Sequence, residues 1–183
     1  PPDAAFSAPG TVTYRGVPYC EQPVPPRRFC AVEPLAERWS TPRPCFDKPP
    51  IAPQPLAPQL ADTVRAPSLG PELLESGELP EGQSEACCYL NVHHPAAAQA
   101  ERRPRPVMCW FHGGGMTFGS TKLLDGGWLA LRADVVVVTV QYRIGMLGFF
   151  QPESRGSADE PAGATNLGIL DQVAALRWVQ QEI

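Results

Sequence analysis

The stretch "PVMCWFHGGGMTFGST" (residues 106–121) runs from an apolar segment straight into a histidine and three consecutive glycines. A short apolar run bounded by turn formers reads as a buried strand. Glycine inside a regular element costs about 0.5–1 kcal/mol, so three together mark a place where bare backbone is required. Two chemistries require it: cradling a phosphate, and stabilising the oxyanion of an acyl-transfer reaction.

Outward from this stretch, "CCYLNVHH" (87–94) and "DVVVVTVQY" (134–142) are further apolar runs. The second is nearly continuous in β-branched residues, the pattern of a parallel strand covered on both faces. Between them "LLDGGWLALRA" (123–133) leaves room for a short helix, and "GFFQPESRGSADEPAGATN" (148–166) reads as loop. "LGILDQVAALRWVQQEI" (167–183) reads as a helix, with Asn166 at its N-cap position. One stripe there is Ile169, Val173, Leu176, Val179 and Ile183; a second is Leu170, Ala174 and Trp178. Two stripes predict packing on more than one side. Residues 1–81 hold most of the 23 prolines and are predicted mainly as loop, "TVTYRGVPY" (11–19) being the best strand. Overlapping their end, 40–83 is a long Pro-rich loop expected to be packed. Strand, crossover, strand and helix make an α/β sheet.

Composition excludes several functions. The 183 residues are 43% hydrophobic and 19% charged with a formal net charge of -4, suited to one globular domain. Mild acidity, and no basic cluster longer than "ERRPR" (101–105), argue against a nucleic-acid partner. The longest apolar run, "VVVVTV" (135–140), is far too short to span a membrane. The six cysteines (20, 30, 45, 87, 88 and 109) fit neither a C-x-x-C zinc pattern nor a small disulfide scaffold. The chain opens on "PPDAAF" and stops at Ile183 inside a predicted helix, so residues 1–183 are expected to be a piece of a larger domain. Compartment, cytoplasmic or secreted, is left open.

The phosphate reading fails on one residue. "GGMTFGST" (114–121) nearly matches G-x-x-x-x-G-K-[ST], but Ser120 stands where the lysine belongs and Lys122 comes two positions late. The acyl-transfer reading needs only what is present: successive glycines that aim two amides at one point.

Five blocks in order carry a family resemblance: "YRGVPYCEQPVPPRRFCAVEPLAERW" (14–39), "SEACCYLNVHHP" (84–95), "VMCWFHGGGMTFGS" (107–120), "VVTVQYRIGMLGFF" (137–150) and "NLGILDQVAALRWVQQEI" (166–183). The chain resembles the type-B carboxylesterase/cholinesterase family of α/β-hydrolases. The resemblance implies an α/β-hydrolase fold, here the N-terminal part of a mostly parallel central sheet with crossover helices. It also implies a serine esterase cleaving small-molecule carboxylic esters through an acyl-serine, without metal or cofactor. On that basis Gly114 and Gly115 are the oxyanion-hole amides, Gly113 shapes the loop and His112 is structural. Met116 and Phe118 are candidates to line the substrate pocket. The Gly-x-Ser-x-Gly elbow, the acid and the histidine are expected after residue 183, so this segment by itself lacks the catalytic serine. The alternative is a non-catalytic adhesion or binding domain on the same fold.

The chain departs from the family at Ala86 and Cys88, where aspartate and leucine are usual, and at Gln141, where asparagine is common. Cys87 is implied as one end of a disulfide. Its partner is open between Cys45 and a position that best alignment gives to Ala52. No tryptophan lies in 46–83, which argues against a choline site.

Simpler readings apply to the remaining polar and aromatic residues. His93 and His94 are expected at an exposed strand end, and Ser120 as a buried hydroxyl bonded to backbone. Trp110, Phe118 and Trp128 are most simply core. Cys87 and Cys88 read as structural and core cysteines. Glu85, Arg143, Asp171 and Arg177 are candidates for buried ion pairs of unassigned partners.

Overall fold

The computed structural model describes residues 8–36, 49–54, 82–101, 103–150 and 165–183. In chain order the elements are β1 (Thr11–Pro18), β2 (Tyr89–Pro95), α1 (Ala97–Glu101), β3 (Val107–Phe111), a 3-10 turn (Thr121–Leu123), α2 (Gly126–Ala133), β4 (Val136–Val140), α3 (Gly145–Phe149) and α4 (Leu167–Glu182). Most of the Pro-rich 40–83 loop, including Cys45, lies outside the described residues.

The strands form one sheet in the order β1-β2-β4-β3. β3 and β4 run parallel, with Val107 opposite Val136 and Phe111 opposite Val140. The other two pairings are antiparallel, so the sheet is mixed, its parallel character confined to the β3–β4 pair. β4 occupies the interior position between β2 and β3, and its Val137, Val138, Thr139 and Val140 are fully buried. That is why its sequence is an unbroken β-branched run without alternation. β3 is the edge among the described strands; Val107 and Met108 are exposed there, contrary to the expectation of a buried strand.

Buried polar bonds fix the β1–β2–β4 register. The β1–β2 ladder shifts between Tyr14 and Val17, and the Gly16 N–H released by the shift donates to Asn91 Oδ1 at 3.1 Å. Asn91 then donates from Nδ2 to Thr139 Oγ1 at 3.0 Å, so one side chain ties three strands. α2 is capped by Asp125, whose carboxylate accepts from Gly127 N–H, and lies against β1, β2 and β4.

α4 covers another part of the sheet. Val17, Tyr19, Cys20, Cys88, Leu90, Val138, Val140, Ala175 and Val179 form the main cluster. The helix buries Leu167, Gly168, Asp171, Ala175 and Val179, a single face with steps of four. The predicted stripes differ: Ile169, Leu170, Leu176 and Ile183 are exposed. An aspartate at the centre of the buried face breaks the apolar pattern, and Arg143 explains its place. Arg143 donates from Nε and Nη2 to Asp171 Oδ2 and Oδ1 at 2.8 and 2.7 Å, and from Nη1 to Cys30 O at 2.8 Å. Asn166 stands at the N-cap position but adopts a left-handed conformation, and its side chain makes no capping bond.

Other expectations need correction. His93 is buried, bonded through Nδ1 to Thr13 Oγ1 at 3.1 Å, with its ring packed against Gly126. Burial, helped by the Arg15 charge, lowers its pKa to about 4. Only His94 is partly open, stacked on Tyr14. Trp128 is exposed rather than core. Glu85 pairs with Arg28 near the surface. Arg177 has no ion-pair partner among the described residues. The helices α1 and α3 went unpredicted because five-residue turns carry too few periods to register.

Candidate active-site loop

β3 ends at Phe111 and delivers His112, almost wholly buried, to the start of the glycine turn. Its ring stacks on Tyr142 with centroids 4.4 Å apart, while Tyr142 donates its hydroxyl to His112 O at 2.8 Å. Burial holds the imidazole pKa below its usual value, against the opposing pull of the Gly113 carbonyl.

The turn is left-handed over three residues: φ is +120° at Gly114, +59° at Gly115 and +63° at Met116. Gly114 O accepts from both Thr117 N and Phe118 N, at 3.1 and 3.2 Å, closing the loop on itself. A Cβ on Gly114 would fall on the Phe118 carbonyl, so glycine is obligatory there. Gly113 differs from expectation: its φ is not left-handed, and a Cβ on it would meet open space. The shape comes instead from Gly114, Gly115 and Met116. Met116 carries positive φ with a side chain, a conformation that local contacts must enforce. Gly145 N–H does so by donating to Met116 O at 2.7 Å.

Two glutamines brace this loop from elsewhere in the chain. Gln54 donates from Nε2 to Gly119 O at 3.1 Å and accepts at Oε1 from Gly119 N–H at 2.8 Å. Gln141 accepts at Oε1 from Thr121 N–H and contacts His112 Nε2 through its own Nε2, each at 3.2 Å. Nothing in the sequence pattern marked Gln54. Gln141 showed only as a departure from a familiar asparagine.

Among the described residues, the N–H groups of Gly114 and Gly115 donate to no protein acceptor. Beside them lies an open depression of about 390 Å³ lined by Gly115, Met116, Thr117, Gly145, Met146, Phe149 and Phe150. Met116 thus sits on its wall. Phe118 does not; its carbonyl and ring lie close over Gly114. Met146, Phe149 and Phe150 join the lining because α3 folds back beside the turn. Ser120 is buried, its Oγ accepting from Lys122 N–H at 3.2 Å, as expected of a structural hydroxyl.

Cys20, Cys30, Cys87, Cys88 and Cys109 are all free thiols. Cys87 packs with Ala52, Tyr142 and Ile144 beneath this region, while Cys88 belongs to the main core. Ala52, at one of the two candidate partner positions for Cys87, packs in the same cluster and carries no thiol, while Cys45, the other candidate, lies outside the described residues. Among the described residues no group of three or more His, Cys, Asp or Glu is placed to hold a metal ion, and no helix is long and apolar enough to cross a membrane.

A model of the carboxylesterase family matches residues 5–183. The chain belongs to that family. As a carboxylesterase-family chain it is 42% identical over 174 residues to a cocaine esterase of Oryctolagus cuniculus, covering 95% of this chain and 30% of that protein. It is 41% identical to carboxylesterase 3 of Homo sapiens, over 93% of this chain and 27% of the relative. Among solved structures a PNB esterase superposes with a TM-score of 0.72 at 36% identity, covering 95% of this chain and 32% of that one. A Geobacillus stearothermophilus carboxylesterase gives 0.70 at 38% identity, over 94% and 31%. The fold is that of the α/β-hydrolases. The chain spans less than a third of the length of these relatives.

Proposed function

We propose that this chain is the N-terminal part of a serine carboxylic-ester hydrolase that works through an acyl-enzyme, and that it supplies the oxyanion hole. The reading rests on one observation: adjacent amides at Gly114 and Gly115, without acceptors among the described residues, on a turn beside an apolar depression. When a serine adds to an ester carbonyl, the carbonyl oxygen gains a full negative charge. Fixed N–H dipoles meet that charge without reorganising, and loss of one such donor costs roughly 10²–10³ in kcat. On this reading the serine and its base come from the part of the fold that this chain, spanning 30% and 32% of two relatives, does not cover. Met116, Met146 and Phe150 give an apolar wall for one substituent of a small carboxylic ester.

The test uses the full-length protein. Labelling by a fluorophosphonate probe, with hydrolysis of p-nitrophenyl acetate that the same probe abolishes, is the expected result. Absence of both in a folded protein would leave a non-catalytic binding domain in its place.

A further inference from the structure

We infer that Gln141 is a positioning residue for the oxyanion hole, acting on the Gly114 amide through the His112 ring. The inference rests on the esterase reading and adds a residue and a mechanism to it. The chain of bonds begins at a donor that has no choice. Thr121 N–H is a backbone donor, so the Gln141 atom 3.2 Å from it is the carbonyl oxygen. The other end of the same amide is then its NH2, which donates to His112 Nε2 at 3.2 Å. A ring nitrogen that accepts carries no proton, so the imidazole proton sits on Nδ1, which faces Gly113 O at 3.0 Å. One fixed backbone donor thereby selects the tautomer two bonds away.

The last bond matters for the turn. C=O and N–H of a trans peptide point in opposite directions, and the Gly113–Gly114 bond is not among the cis peptides. With Gly113 O held toward the ring, Gly114 N–H is held away from it. Gly119 closes the arrangement: a Cβ there would strike both Gly113 O and His112 Nδ1, so the contact tolerates only glycine. The ring itself is clamped by stacking on Tyr142, the titratable side chain in contact with it. Burial lowers the ring's pKa and the Gly113 carbonyl opposes that; among the described residues no charged side chain contributes.

The experiment compares Gln141→Met and Gln141→Glu with wild type and Gly114→Ala in the full-length protein. Methionine fills the same volume and removes the donor to His112. It should lower kcat for p-nitrophenyl acetate about tenfold or more and leave KM within about threefold, the split expected when a transition-state interaction is lost. Glutamate keeps the bond to Thr121 N–H but presents an acceptor to Nε2, so the ring must hold a second proton to keep Nδ1–H on Gly113 O. Its kcat should acquire a new alkaline limb, falling as pH rises through an ionisation absent from wild type. Wild-type 15N-histidine spectra should show His112 neutral with Nδ1 protonated, a readout independent of whether either variant folds. An Nε2-protonated ring overturns the inference. So does a folded Gln141→Glu protein with unchanged kcat and pH profile while Gly114→Ala is inactive, and in that case the oxyanion assignment survives. Full turnover in Gly114→Ala removes both.

Discussion

Arg143 and Asp171 form a bidentate pair in which both side chains are excluded from water, and Arg143 N–H adds a third bond to Asp171 Oδ2 at 3.0 Å. The pair joins the segment after β4 to the buried face of α4, and the same arginine reaches Cys30 O in the N-terminal loop. Burial pushes the Asp171 carboxyl upward, to about 7, against the pull of the guanidinium. Breaking such a pair from one side strands the other charge, which typically costs about 3–5 kcal/mol. Asp171→Ala should therefore destabilise the full-length protein by about that amount in urea unfolding. Asp171→Ala with Arg143→Met should recover much of the loss, because neither charge is then left buried. A single variant within about 0.5 kcal/mol of wild type would contradict this, since that is the range of neutral surface changes.

The glycines of the turn should separate sharply on substitution. Gly114→Ala drives a Cβ onto the Phe118 carbonyl and must displace the amide, so kcat should fall by about 10²-fold or more. Gly113→Ala meets open space at an ordinary φ and should leave stability within about 1 kcal/mol of wild type. Thermal melts beside initial rates check both.

His93 makes stability depend on acidity. Its folded pKa is lowered from 6.5 to about 4, so between those values the unfolded chain binds a proton that the folded chain refuses. The contribution of the neutral ring is complete above 6.5 and is lost as pH falls toward about 4, a change of up to about 3 kcal/mol. Urea midpoints measured from pH 7 to pH 4 should fall, and the slope should flatten in His93→Gln. An equal slope in that variant would assign the acid sensitivity to other groups.

The buried thiols offer a further check. Cys20, Cys87 and Cys88 are buried and free, with hydrogen bonding to Cys88, and after it burial, pushing the thiols of Cys20 and Cys87 up. They should resist an aromatic disulfide reagent in the native protein and react once it is unfolded. Because Ala52 packs in the same cluster as Cys87, Ala52→Cys should cross-link to Cys87 under oxidising conditions. Closing that loop should raise stability by roughly 2–4 kcal/mol. Peptide mapping that finds no such link would show the two backbones wrongly disposed for the bond.

Elements whose signal is local were readable from residue order alone. The β-branched run of β4, the turn formers around β2 and β3, and the long helix α4 were legible because period and punctuation are properties of neighbouring residues. The glycine run also disclosed that bare backbone was needed after β3. Which face of α4 turns inward depended on the folded chain, because Asp171 is admitted to the core by an arginine outside the helix. The folded chain likewise decided that His93 is buried, that Gly114 and Gly119 need glycine more than Gly113 does, and that Gln54 and Gln141 brace the turn. The glycine requirements come from atoms only four to seven residues away along the chain, whereas the buried polar side chains share a different reason. A polar group taken out of water must find its partner wherever the fold brings one, and here the partners lie well outside the window in which hydrophobic period can be read.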